Sequence, residues 1–466
     1  MTSNMLRIQW IRGGPVPLLL ALALPLGAQT TVTMAPTAAV NGAIERMPLT
    51  LAEAEAEALR GNRDLEAAEA RRDAVDARAR GSEAFLWPGL QANAGVLRTT
   101  DPVGVFGTKL RQERFTEMDF ALPGLNQPDA VNDWTAGVGA SWQIASPSRW
   151  FERGAARAGA DAAGFSVQRT QEAVVFQTRV LYLRAIQAAG TLQAAQVALE
   201  AAQATAERVS RRVDEGMATE ADRLQARAAA SQAEAQVELA QAAVDDAADA
   251  LGAHLGWGPE RLPVPAETEP AFDLEARPDA DDPSSAGLLE RADLRASALG
   301  VQAVQAQARA VGAARLPSIE AFGQASAHTP AFDDATGTNW TVGVQLSLPI
   351  FTGFGLAAQH DAARAEARAA GAEHAQRVQQ ANVEVRAARR GLDAAQQALT
   401  AVEAAQQAAT EAVRLLRRRH EEGMTTLADL LQAEARAAQL DARLVEARTG
   451  VLMARAYLDF AWGDAR

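Results

Sequence analysis

The stretch Arg211-Arg212-Val213-Asp214-Glu215-Gly216-Met217-Ala218-Thr219-Glu220-Ala221-Asp222-Arg223-Leu224-Gln225-Ala226 recurs 207 residues later without a gap. The second occurrence reads Arg418-Arg419-His420-Glu421-Glu422-Gly423-Met424-Thr425-Thr426-Leu427-Ala428-Asp429-Leu430-Leu431-Gln432-Ala433. Eleven of the sixteen positions are identical, so the chain is built from two copies of one plan. Asp64-Leu65 also matches Asp293-Leu294 and Pro88 matches Pro317 at an offset of 229, whereas Trp134-Thr135 matches Trp340-Thr341 at 206. The offset drops by 23 between these landmarks, which places an enlarged loop of that length just before Trp134 in the first copy.

Proline placement lays out each copy. There is none between Pro147 and Pro259 and none after Pro349, and both stretches are rich in alanine, glutamine, glutamate and arginine, which favour helix. Ser146 and Pro147 make an N-cap and first-turn pair. A helix is expected from Ser148 to about Val213, roughly 100 Å at ~1.5 Å per residue. Glu215-Gly216 ends it, and a second helix runs from Thr219 to about Leu255. Ahead of Pro88 a third helix is expected over Leu49 to Phe85. The second copy repeats this with Leu289 to Arg315, Phe354 to His420 and Thr426 to Trp462. A helix of ~100 Å cannot bury its apolar stripe alone. The two flanking helices, stacked end to end, nearly match it, and the economical arrangement lays one on each half. Helices alone are equally consistent with an ordinary coiled coil.

The segments between the helices alternate with period two. Trp134, Ala136, Val138, Ala140, Trp142 and Ile144 face one way, while Thr135, Gly137, Gly139, Ser141 and Gln143 face the other. Trp340 to Leu348 repeats the pattern. Leu90 to Val96 and Ile319 to Ala325 are the expected hairpin partners, with Phe322 spoiling the alternation of the latter. Strands of ~10 residues with one apolar face suit an outer-membrane barrel, although a half-buried soluble sheet also alternates. Trp87, Trp134, Trp142, Trp150 and Trp340 lie in or beside these strands, as an interfacial aromatic girdle requires. Four strands cannot close a barrel, and open edges are not tolerated in hydrocarbon. Several chains must pool them. Two chains give eight strands and a filled lumen; three give twelve and a conduit, which the small polar inner face favours.

Composition narrows the function. Forty-five basic against 58 acidic residues leave a net charge of −13, which argues against a nucleic-acid partner. The absence of cysteine excludes disulfides, thiolate metal sites and a lipoprotein anchor. Residues 1–28 carry Arg7 and Arg12, the apolar run Val16 to Leu26 and the exit Gly27-Ala28, which together read as a secretory signal. An uncleaved anchor is the alternative. His254, His328, His360, His374 and His420 make no chelating cluster, and no phosphate loop, zinc-protease helix or nucleophile elbow occurs. The expectation is a protein without cofactor or bound metal that is not an enzyme. The expected organisation is signal (1–28), N-terminal tail (29–48), first repeat (49–257, strand hairpin about 90–145), linker (258–285) and second repeat (286–466, hairpin about 318–349).

An exported chain with duplicated helix, strand pair, long helix, Glu-Gly-x-x-Thr-x-x-Asp turn and helix resembles the TolC-like outer-membrane efflux channel family. Val105-Phe106-Gly107-Thr108-Lys109-Leu110, followed by Arg114-Phe115, is similar to a segment found in part of that family. The resemblance implies a mainly α protein with transmembrane β: a helical barrel in the periplasm and four strands per chain in a twelve-stranded homotrimeric barrel. It also implies an outer-membrane location in a Gram-negative bacterium, and docking to a periplasmic adaptor and an inner-membrane transporter, proton-driven or ATP-driven. By position, Gly216, Met217, Thr219, Gly423, Met424 and Thr426 are then adaptor-docking residues, and Arg212, Asp222, His420 and Asp429 tip-gate residues. Helix capping accounts for the threonines, aspartates and glycines equally well. Thr425 stands where an arginine can occur in the gate, and Gln432 where some members place an acidic ring. The linker is either a plain connection or part of a belt around the helices. A passive efflux duct, the channel of a one-step protein secretion system, and a periplasmic structural coiled coil are the functions to be weighed.

Overall fold

The computed structural model describes residues 45–268, 270, 288–331, 334 and 337–463. The expected signal, most of the tail and residues 269 and 271–285 of the linker lie outside them. Two helices set the scale: α5 (Pro147–Asp214) has 68 residues and α8 (Gly355–Glu421) has 67. At ~1.5 Å per residue each is about 100 Å long. Here α1 is Leu51–Gly61, α2 Arg63–Gly81, α3 Pro102–Arg111 and α4 Leu122–Asn126. The others are α6 (Glu220–Leu255), α7 (Ala292–Ala313) and α9 (Leu427–Trp462).

The long helices are sheathed as their stripes require. At the start of α5, Arg153 and Arg157 both donate to Glu83, just beyond α2, at 3.1 and 2.9 Å. At its far end Asp214 pairs with Arg223 of α6 at 2.6 Å. Along α8, Ser297 of α7 meets His374 at 2.7 Å and Asp441 of α9 accepts from Gln406 at 2.8 Å. The copies are joined by α5, which packs on α7 and α9 as well. Gly190 makes one such contact close: a Cβ there would lie 2.7 Å from Val445 Cγ1.

The helix expected over Leu49 to Phe85 is two helices. Asn62 separates them in an extended conformation, and its Oδ1 accepts from the amides of Asp64 and Leu65 to cap α2. An asparagine followed by two early acidic residues starts a helix better than it continues one. The break lets α1 turn over α5, where Ala54, Ala58, Leu65, Leu181, Tyr182, Leu251 and Leu255 form a buried core. Its counterpart in the second copy contains Leu294, Ala381, Val385, Ala388, Leu392 and Leu458.

Part of the tail and part of the linker also have structure. Strand β1 (Glu45–Leu49) pairs in parallel with β4 (Arg261–Pro265), and the buried Tyr182 hydroxyl donates to Leu49 O at 2.8 Å. Neither strand was expected; their residues include Pro48, Pro263 and Pro265, which hide an edge pair from periodicity.

The remaining strands are β2 (Gly89–Thr99), β3 (Val131–Ala145), β5 (Ser318–Thr329) and β6 (Gly337–Ser347). They form one antiparallel sheet in the order β2-β3-β5-β6. The enlarged loop between β2 and β3 is a folded insertion rather than a plain loop. It holds α3, a 3-10 turn (Glu117–Phe120) and α4. Asp101 caps α3 through Gly104 N at 2.6 Å, with Pro102 in its first turn.

Candidate functional site

The sheet has two chemically opposite faces. Its register aligns Leu90, Ala92, Ala94 and Val96 with Ala140, Val138, Ala136 and Trp134. Ala321, Gly323 and Ala325 continue the face toward Val344, Val342 and Trp340. Val342, Val344 and Leu346 are 66–71% exposed, an apolar patch that no other described residue covers. The opposite face presents Gln91, Asn93, Thr135, Ser141, Gln324, Ser326, Asn339, Thr341 and Gln345. Phe322 belongs to that polar face, and its ring lies over Gly343, where a Cβ would come within 2.7 Å of it. The broken alternation is a ring packed on a glycine. Among the described residues β2 and β6 each pair on one side only.

Tryptophans mark both ends of the apolar face. Trp142 donates Nε1–H to Leu86 O at 3.2 Å near the helices. Close by, Trp87 is exposed and Trp150 meets Phe85 edge-to-face at 5.5 Å. Trp134 stands eight residues back along β3, about 26 Å away at ~3.3 Å per residue. With a tilt near 40° that is about 20 Å in height, close to the ~25 Å band of membrane barrels. Trp340 is paired with Ala325 between these levels. Sequence reasoning missed Ile350, Phe351 and Phe354, exposed after β6 at the helical end; Phe351 and Phe354 meet at 5.6 Å. Their signal was the apolar content of Leu348 to Phe354 directly after an alternating strand.

At the far ends of α5 and α8 the two turns repeat one geometry. Gly216 has φ +74° and Gly423 φ +72°, the left-handed region that favours glycine. Gly216 N donates to Val213 O at 2.9 Å and Met217 N to Arg212 O at 2.7 Å. In the second turn Gly423 N reaches His420 O at 3.0 Å and Met424 N reaches Arg419 O at 2.8 Å. These bonds satisfy the last carbonyls of each helix. Both methionines are exposed, and no atom lies within 4 Å of where a glycine Cβ would be.

Both restarts are capping boxes. Thr219 Oγ1 donates to Asp222 Oδ2 at 2.7 Å and accepts from Asp222 N at 3.2 Å. Thr426 and Asp429 do the same at 2.6 and 3.2 Å. The Thr219 bonds hold the Asp222 carboxyl below the ordinary carboxylate range, with help from the charges of His420 and Arg212. Thr426 and Thr425 lower Asp429 in the same way.

Of the four residues assigned to a gate, three come together. Arg212 Nη1 donates to His420 O at 3.3 Å and approaches His420 Nε2 at 3.5 Å. His420 Nδ1 donates to Thr425 O at 3.2 Å. Asp222 is within electrostatic reach of both. Asp429 stays within its own cap. Below, Val209, Ala226 and Leu427 pack the two turns into one tip.

No helix among the described residues is long and apolar enough to cross a membrane, which says nothing of the sheet. The profile described as "Outer membrane efflux protein" matches residues 56–257 and 284–464. The chain superposes on the solved structure of CusC, whose description concerns transmembrane channel formation, with TM-score 0.75 and 19% identity over 90% of this chain and 93% of that one. For the CmeC outer membrane channel of Campylobacter jejuni the values are 0.74, 18%, 89% and 86%. For the outer membrane protein VceC of Vibrio cholerae they are 0.74, 22%, 89% and 96%. None of the curated proteins matches. At these identities the superpositions establish the fold, and the profile, which spans both copies, establishes kinship: the chain belongs to the outer membrane efflux protein family.

Proposed function

We propose that three copies of this chain form a passive duct through the outer membrane of a Gram-negative bacterium, continued by a helical tunnel into the periplasm. The duct serves a tripartite efflux system for small toxic compounds, drugs or metal ions. One observation carries the reading: a four-stranded sheet whose apolar face is uncovered, and whose two outer strands are each paired on one side only, among the described residues. Exposed backbone donors and acceptors cost several kcal/mol each in hydrocarbon, so β6 of one copy must pair with β2 of the next. Three sheets then give twelve strands, with the valines and tryptophans toward lipid and the amide and hydroxyl side chains toward the lumen. Neither the site chemistry nor the family calls for catalysis.

In this reading the tips are the periplasmic end. Gly216, Met217, Thr219, Gly423, Met424 and Thr426 form the surface for an adaptor's helices, with the exposed methionines as adaptable contacts. Arg212 and His420, with Asp222 beside them, hold the two turns of one chain together and narrow the tunnel until the adaptor engages. The same architecture would serve a protein secretion channel working with an ATP-driven exporter. A periplasmic structural coiled coil would leave the lipid-suited face unexplained.

The test is the assembly state of the mature protein extracted in detergent. A trimer by light scattering, with channel activity in planar bilayers, is expected. A water-soluble monomer without bilayer activity would refute the duct.

A further inference from the structure

The insertion between β2 and β3 lies against the polar face of the sheet, at the end away from the helices. Gln112, at the end of α3, donates Nε2–H to Asn132 O at 2.8 Å and to Asp133 Oδ1 at 3.0 Å. Asp133 Oδ2 lies 2.9 Å from His328 Nδ1, and His328 Nε2 lies 3.1 Å from Ser326 Oγ. Arg111 O accepts from Asn339 Nδ2 at 3.2 Å, and Gly337 lies directly beneath the Arg111–Gln112 backbone. Asp133, Ser326, His328, Gly337 and Asn339 all share the parity of Thr135 and Gln324. Asp133 and His328 are buried by the insertion.

α3 therefore crosses the sheet, from the end of β2 to the start of β6. Its ten residues span about 15 Å, and three inter-strand gaps of ~4.8 Å span about 14 Å. The insertion is stiff: Phe106, Phe115 and Phe120 stack edge-to-face at 4.7 and 5.1 Å, and Lys109 pairs with Asp119 at 2.7 Å. It still exposes Val103, Met118, Phe120 and Leu122, each at least 64% open.

We propose that this insertion is a plug in the outer mouth of the duct, and that the apolar residues it exposes pack against the same insertion of the two neighbouring copies. The proposal rests on the trimeric duct reading. Twelve strands tilted near 40° make a cylinder of about 12 Å backbone radius. A helix about 10 Å thick laid along that inner wall in each third of the circumference leaves only a few ångströms at the axis. The unpaired β2 edge puts each insertion beside the next copy, so a second copy of this chain is the partner it meets. The buried Gln112–Asp133–His328 contacts are the latch that holds the plug to the wall.

The chain has no cysteine, so an introduced thiol reports alone. Gln324→Cys places one on the inner face below the plug, and Glu117→Cys places one on an exposed polar position of the insertion. Intact cells are treated with a small impermeant maleimide and with a polymer-linked one. Glu117→Cys should react with both. Gln324→Cys should react with the small reagent and resist the large one. Replacing residues 102–127 by a short Gly-Ser turn should accelerate the large reagent at least tenfold, and Gln112→Ala, which keeps the insertion but loosens its latch, should accelerate it by a smaller factor. If the shortened chain fails to assemble, Gln112→Ala decides. Equal rates in intact and altered chains, with Glu117→Cys reactive, would overturn the plug and leave the duct standing. An unreactive Glu117→Cys in intact cells would remove the surface location and the duct with it.

Discussion

Asn62 and Arg291 occupy the same position in the two copies, 229 residues apart, and anchor the same carbonyl. Asn62 Nδ2 donates to His254 O at 2.9 Å, and Arg291 Nη1 donates to Ala461 O at 2.8 Å. His254 and Ala461 are themselves related by the 207-residue offset of the duplicated turns. Each copy thus ties the start of its short helix to the end of its last one by a side chain of different chemistry.

The two anchors should differ in strength. Asn62→Ala removes the α2 cap and one hydrogen bond, a loss of about 1–2 kcal/mol. Arg291 is 3% exposed and also binds Asp293 at 2.8 Å and Glu384 at 3.2 Å. Burial alone would raise Asp293, but its hydrogen bond and charge contact with Arg291 outweigh this and lower it. Arg291→Ala leaves those carboxylates without their cation and should cost more, about 2–4 kcal/mol. Thermal unfolding of the two variants would show the order.

Face assignment is testable with one cation moved by one residue. Val342→Arg puts charge on the lipid-suited face between the two tryptophan levels, at a cost of about 2–4 kcal/mol. Thr341→Arg, on the opposite face, should reach the outer membrane normally. Comparable yields of the two variants in outer-membrane fractions would reverse the strand register.

At the tips, Gly216→Asn keeps a residue that tolerates positive φ, whereas Gly216→Val forces a β-branched side chain into it at about 1–2 kcal/mol. Both side chains protrude where the adaptor is proposed to sit. Export should fall in both variants while trimers still form, and a drug-susceptibility assay beside native gels reads the two effects separately. The parallel changes at Gly423 should behave alike.

Removing the clasp is a different experiment. Arg212→Ser takes away the donor to His420 O and should raise the resting conductance of purified channels in bilayers. Arg417→Ser, which breaks the 2.8 Å pair with Glu434 outside the clasp, should change it less.

The insertion should be stable in mild acid and loosen only in strong acid. Lys109 and the Thr116 cap lower the Asp119 carboxyl to about 2. A depressed carboxylate contributes stability that is complete above its unfolded pKa, near 4, and is lost as the pH falls through the folded value. Protease nicking of residues 113–127 should therefore rise between about pH 4 and pH 2 and not between pH 7 and pH 5.

Most of this architecture was legible because it is written in periodicity and in prolines. α5 begins one residue from its expected start, and the strand faces follow the alternation from Trp134 to Gln143 residue by residue, a register shift at Ile144 ending it. The tip caps were readable for the same reason, since glycine, threonine and aspartate at fixed spacing have one local solution. Illegible features depend on partners distant in sequence. β1 has meaning only beside β4, and nothing in Glu45–Leu49 names that strand. The break at Asn62 and the cap at Asp101-Pro102 did leave local signals, overridden by the helix-favouring composition around one and the expectation of a loop around the other. The Arg212–His420 contact joins residues 208 apart, and no motif announces it.

The two unpaired edges also have a genetic consequence. In the proposed trimer a chain with a blocked rim can still join a neighbour through its other side, and so occupy a place in a ring that will never close. Val342→Pro on β6, co-expressed with the unaltered gene, should therefore poison mixed assemblies, and the phenotype should be dominant rather than recessive.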